Sequence, residues 1–170
     1  MFELITRLFD IALLKKGPQD LPSSAALLWL LVVIDLVVGF LMANLQSHWF
    51  EALLQALIGV VLLVGLGGLM LYFAGKRARF YQTNSALLGV DVLISFIALP
   101  GVATMMIGKG VLLAFLVTIG LMIWHWVVIG HIIRNALEQT LIFSLGLAFL
   151  YLLVTYQVMT LLFPEIAGVE

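Results

Sequence analysis

Five apolar stretches, each about as long as a bilayer is thick, fill most of this chain, and no water-soluble fold can absorb them. They run over about 25–45, 52–74, 83–106, 111–132 and 140–163. A helix of about 20 such residues crosses a hydrocarbon core. The expected fold class is therefore all-α: a five-transmembrane-helix bundle, with residues 1–170 forming one membrane domain. Composition supports this, because 64% of the residues are hydrophobic and 10% charged, where a soluble domain has about 45–50% and 25%. A chain of this size has too little interior to hide that much apolar surface from water.

The segment before the first stretch differs in kind. Glu3, Thr6, Arg7 and Asp10 recur at helical spacing, and Phe2, Ile5, Phe9, Ala12 and Leu13 fall on other faces. That pattern predicts an amphipathic helix over 2–16 lying in the membrane interface, too short and too charged to span. Residues 17–24 then form a Pro-containing elbow with Pro18, Gln19, Asp20 and Pro22. It reads either as a rigid connector or as an edge that presents polar groups to a partner. Ser23 or Ser24 is placed to cap the first span.

Basic residues set the threading. With five spans, the N-terminal segment and the second and fourth connections share one side. They carry Arg7, Lys15, Lys16, Lys76, Arg77, Arg79 and Arg134, which leaves only Lys109 for the other side. The positive-inside rule puts the N-terminus in the cytoplasm and the C-terminus outside, as in a bacterial inner membrane. The surface made by Lys15, Lys16, Lys76, Arg77, Arg79 and Arg134 either anchors the topology or meets anionic lipid or a protein partner.

Three ionisable residues interrupt the apolar stretches: Asp35, Asp91 and His125. Such groups are costly in lipid and are candidates for function. Counted from the expected span ends, Asp91 and His125 lie at similar depth and Asp35 nearer the midplane. A carboxylate beside an imidazole can pass a proton or hold a cation, whereas isolated acids can equally hold helices in register by hydrogen bonds. His131, Arg134 and Asn135 read as interfacial. Ala52 and Ala56, and Gly39 and Ala43, have the four-residue spacing of small residues that lets helices approach closely in lipid. Pro100-Gly101 is expected to kink the third span.

Other classes are excluded or unsupported. The sequence has no Cys, so thiol chemistry and disulfides are out. Its net charge of −1 and lack of a basic, aromatic-laced patch give nucleic acid no footing. Nucleotide-binding, zinc-protease and serine-hydrolase motifs do not occur. No catalytic set, cofactor or metal site is therefore expected, and the chain reads as a non-enzyme.

The lead Gly17-Pro-Gln-Asp-Leu-Pro22, the basic step Lys76-Arg-Ala-Arg79 and the polar opening Gln82-Thr-Asn-Ser85 of the third span belong to a layout that resembles the Yip1 family of small integral membrane proteins, in its bacterial branch. The resemblance implies five close-packed spans, a membrane location and partner binding, with no catalytic residue. Eukaryotic members are thought to bind small GTPases through a long cytosolic N-terminal region, which this sequence does not show, so that role is not expected here. Two functions follow as expectations. The first is a scaffold or accessory subunit binding membrane proteins, or further copies of itself, through small-residue helix faces and the cytoplasmic surface. The second is a small transporter or proton-coupled subunit using Asp91 and His125.

Overall fold

Ser24 starts the bundle: its hydroxyl accepts from the Leu27 N–H at 3.3 Å, satisfying one of the free donors of the first turn. In the computed structural model, which describes residues 2–108 and 110–164, the helices are α1 (Phe2–Ala12), α2 (Ala25–Ala43), α3 (Trp49–Phe73), α4 (Phe80–Ile107), α5 (Val111–Leu137) and α6 (Leu141–Leu162). Lys109 and the residues after Pro164 lie outside the described residues. Short 3₁₀ turns at Pro18–Asp20 and Arg77–Arg79 complete the elements. The helices α2 to α6 are each long and apolar enough to cross a membrane. Their outward faces are carbon-rich, with Phe73, Leu112 and Ile142 at 82%, 74% and 85% exposure.

Neighbouring helices touch in the order α2, α4, α5, α6, α3 and back to α2, and α3 also meets α4. The result is a ring of five with α4 as the most enclosed member. Its run from Thr83 to Val90 is buried on every side, because α1, the elbow, α2, α3 and α5 all pack against it. Small residues make that enclosure possible. A Cβ on Gly67 would collide with the Asn84 side chain, and one on Gly89 would stand 2.5 Å from Leu8 Cδ2. The small residues of α2 and α3 serve each other as well, since a Cβ on Gly39 would lie 3.5 Å from Ala56 Cβ. That pair is used inside the chain.

The N-terminal segment departs from expectation. α1 ends at Ala12, four residues short of the predicted end, where the chain turns through Leu14 at φ 61°. Its buried residues are Leu8, Ile11 and Ala12, while Ile5, Phe9 and Leu13 stay exposed. The helix is docked on α4 and α5 by a face of which the hydrophobic pattern singled out only Ala12. The apolar arc of α1 is wide, and the notch at Gly89 decides which part of it is used.

Other differences have equally physical reasons. α4 begins at Phe80 and α5 continues to Leu137, so both are longer at the basic end than their composition predicts. Pro100, where a kink is expected, lies inside the helix Phe80–Ile107. Beyond it, the Thr104 hydroxyl donates to Pro100 O at 2.7 Å.

Candidate functional site

The basic end of the bundle is a set of locks. Lys76 Nζ and Arg79 Nη2 meet the Glu138 carboxylate at 2.7 and 2.5 Å. The same two side chains donate to the last carbonyls of α5: Lys76 to Leu137 O at 3.0 Å, and Arg79 to Ala136 O at 3.0 Å and Asn135 O at 3.3 Å. The remaining terminal carbonyl, Arg134 O, takes the backbone N–H of Gln139 at 3.2 Å. All four orphan acceptors of the helix end are thereby satisfied, and two cations sit at the negative pole of its dipole. Hydrogen bonds from Lys76, and then from Arg79, hold the Glu138 carboxyl below the usual carboxylate range. Glu138 itself is in the left-handed region at φ 56°, a strain that side chains other than glycine rarely accept.

These contacts assign the sequence-predicted basic residues. Lys76 and Arg79 cap α5, and Arg77 lies 3.9 Å over the Tyr72 ring. Lys16 pairs with Asp10 at 2.8 Å, and its hydrogen bond lowers the Asp10 pKa. Arg7 pairs with Glu3 at 2.7 Å and lowers its pKa likewise. Lys15 and Arg134 are exposed and make no ion pair among the described residues.

The elbow is folded in. Pro18 is buried and Leu21 is 2% exposed. The Gly17 N–H donates to Asp20 Oδ2 at 2.9 Å, and Arg7 donates to Asp20 O. Gln82 on α4 donates to Leu21 O at 2.9 Å and to Gln19 O at 3.5 Å. Pro22 stays on the surface. His131 Nε2 lies 2.9 Å from Lys16 O, so the imidazole donates to the lead.

In the middle of the bundle, Asp35 of α2, Asp91 of α4 and His125 of α5 come together. His125 Nε2 stands 3.1 Å from Asp91 Oδ1, although the pair is not aligned as a straight hydrogen bond. Asp35 and Asp91 line the same cavity, which brings the two carboxyls together. Tyr151 of α6 sits at the same level and shares a cavity of about 340 Å³ with both acids. Asp91 lies eleven residues beyond Phe80, and His125 twelve before Leu137. The longer helices thus carry both deeper than the predicted boundaries implied, level with Asp35, ten residues beyond Ala25. At about 1.5 Å per residue, all three stand about 15–18 Å from the same end of the bundle.

Two ionised carboxylates offer acceptors only, so a hydrogen bond between them requires one proton. The array accordingly holds acid, acid and imidazole in contact, with room for one proton to be shared, taken up or given away. The cavity runs from this array between α2, α3 and α6 toward Gln46 and Gln55, at the end opposite the locks. Gln55 Nε2 donates to the Ser47 hydroxyl at 3.1 Å and braces that turn. On the other side of Asp91 the way is filled by the buried run 83–90 with Leu8 against it.

Sequence reasoning did not find Tyr151, whose ring leaves the apolar run unbroken, although a phenol four residues from Thr155 in mid-span was a readable sign. Nor did it find Glu138, an acid placed by the threading on the same side as Lys76 and Arg79. The polar step Thr83-Asn-Ser85 proved fully buried. Asn84 Nδ2 donates to Phe80 O at 3.0 Å, while Thr83 Oγ1, Asn84 Oδ1 and Ser85 Oγ have no partner among the described residues. Among the described residues no group of three or more His, Cys, Asp or Glu side chains is arranged to hold a metal ion. Compared with protein-family models, curated proteins and solved structures, the chain matches none, so its functional reading rests on this geometry.

Proposed function

We propose that this chain is a small integral membrane transporter, or a proton-coupled subunit of one, and that the Asp35–Asp91–His125 array is where it binds and releases its proton. The observation that carries the reading is the convergence of three titratable groups from three helices at one level of the bundle, beside a cavity that reaches one end. Ionisable side chains at such positions are costly, and proton relays are among their established uses. The basic end faces the cytoplasm in this reading, since seven of the eight Lys and Arg residues belong to that side. The cavity then opens to the outside. A bacterial inner membrane fits this orientation.

The test is proton movement in liposomes containing the purified chain, with a potassium diffusion potential imposed and a pH dye inside. Asp91→Asn keeps the shape of the side chain and removes the titrating group, and is expected to cut flux by at least about tenfold. Equal flux from the variant and the parent would sink the proposal.

A scaffold or accessory subunit of the bacterial Yip1-like kind is the second reading. Lys15 and Arg134 favour it, being exposed cations at the basic end with no ion pair among the described residues. They would meet headgroups or an acidic partner. Gly39 of α2 and Ala56 of α3 pack against each other within the chain, so that pair of small residues lends it no support. Recovery of the chain as a free monomer in several mild detergents and in native nanodiscs would count against it.

A further inference from the structure

We propose that the cavity beside Asp35 binds a lipophilic organic cation, which the carboxyl pair exchanges for its proton. This rests on the proton-handling reading above and adds the class of solute. The volume, about 340 Å³, falls within the range of about 300–1,000 Å³ typical of small-molecule sites. Its walls are carbon: Ala56, Val60 and Leu63 from α3, Met42 from α2 and Met159 from α6. Its floor is acidic. Asp35 is 6% exposed and makes no ion pair among the described residues, His125 meeting Asp91 instead. A buried carboxylate without a cation is costly, so the pair is satisfied either by a proton or by a positive charge brought in from outside.

The lining decides between kinds of cation. An inorganic ion stripped of water needs a shell of oxygens, about six to eight for calcium, and this floor supplies two carboxyls and a phenol. An organic cation carries its own apolar groups, which the Met, Val and Leu walls take out of water. Tyr151, also in the lining, is an aromatic residue of the kind that attracts such cations. Tyr151 also lines a second, apolar groove of about 280 Å³ between α3 and α6, with Gly65, Leu66, Leu150 and Val154. A solute already dissolved in the bilayer therefore meets the same tyrosine that borders the acidic cavity. The exchange breaks no covalent bond: the cation takes its place on the pair, and the shared proton leaves to water through the cavity mouth.

Benzyltrimethylammonium is a suitable probe, because its charge is permanent and any proton released on binding comes from the protein. With the full chain in nanodiscs, calorimetry in weak buffer with a pH indicator should show saturable binding and release of about one proton per cation. Affinity should tighten with rising pH, by up to about tenfold per unit while the pair is protonated. Neopentylbenzene, which has the same shape without the charge, should bind at least about tenfold more weakly and release none. Asp35→Asn should lose cation binding, and so should Gly59→Leu, which fills the cavity while leaving both acids in place. Absence of saturable binding to the unaltered chain overturns the solute assignment, as does binding without proton release or equal binding of the neutral compound. If proton flux still depends on Asp91 in those cases, the proton reading stands alone. If flux is also indifferent to Asp91, both fall.

Discussion

The docking of α1 is where a single methyl group gives the clearest answer. Gly89→Ala places a Cβ 2.5 Å from Leu8 Cδ2, 2.9 Å from Cδ1 and 3.3 Å from Cγ, and all three of those atoms belong to Leu8. Leu8 is 5% exposed, so it has little free space to turn into, and an overpacked contact of this kind costs about 1–3 kcal/mol. The strain falls on the contact between α1 and α4, and α1 relieves it by lifting off. Amide hydrogen exchange within 2–12, measured in nanodiscs, reports that local opening directly. Exchange should accelerate by about 5- to 150-fold, the factor equivalent to that energy. Leu8→Ala alone should also loosen α1, through the cavity it leaves. In the double variant the new Cβ occupies the vacated volume, so the combined effect should fall short of the sum by about 1–3 kcal/mol. A helix lying on the bilayer, with its apolar face in lipid, would not register a change at Gly89. Unaltered exchange of α1 in Gly89→Ala would therefore refute the docking argument.

Three further outcomes follow from named contacts. The Lys76–Arg79–Glu138 lock depends on a carboxyl whose pKa is depressed in the folded chain, so its stabilisation is complete above the usual glutamate range, about 4.3, and fades as pH falls through the lower folded value. Helix content followed from pH 7 to 3 should show this loss in the parent and a flatter profile in Glu138→Gln. Gly130→Ala brings a Cβ to 2.6 Å from Leu145 Cδ2 and 3.2 Å from Leu145 Cγ, so the Leu145 side chain must move; unfolding in mixed micelles should occur earlier by about 1–3 kcal/mol. Trp126→Phe removes the 3.0 Å donation from indole Nε1 to Leu145 O, and the same assay should register about 0.6–2 kcal/mol, the range for hydrogen bonds between helices in lipid.

The spans and the three interior ionisable residues were legible in the sequence for one reason: lipid enforces an apolar pattern over about 20 residues, and a charge that interrupts it stands out. What depends on a distant partner was not legible. The end of α5 was misplaced because His131, Arg134 and Asn135 read as the polar edge of a span. The helix reaches Leu137 because Lys76 and Arg79, from another connection, satisfy its last carbonyls. The buried face of α1 is chosen by Gly89, about eighty residues away in sequence. Tyr151 was passed over because a phenol scores as an apolar residue until something shows where its hydroxyl points.

The same non-local packing explains why the interior site has one open side. Toward the basic end, α4 is gripped at two glycine notches, one at Gly67 of α3, filled by Asn84 of α4, and one at its own Gly89, filled by Leu8 of α1. Toward the other end the helices are unequal. α2 stops at Ala43 after 19 residues, while α3 has 25 and α4 has 28. The chain turns back early through Gln46 and Ser47, and the space left beneath that turn is the cavity leading to Asp35 and Asp91. A proton or solute that enters there meets the acids before it meets any lock. In the proposed transport reading, passage onward requires the contacts around Thr83 to Val90 to part, and the docked lead, from Leu8 through Leu21, is the part of that wall that lies outside the five long helices.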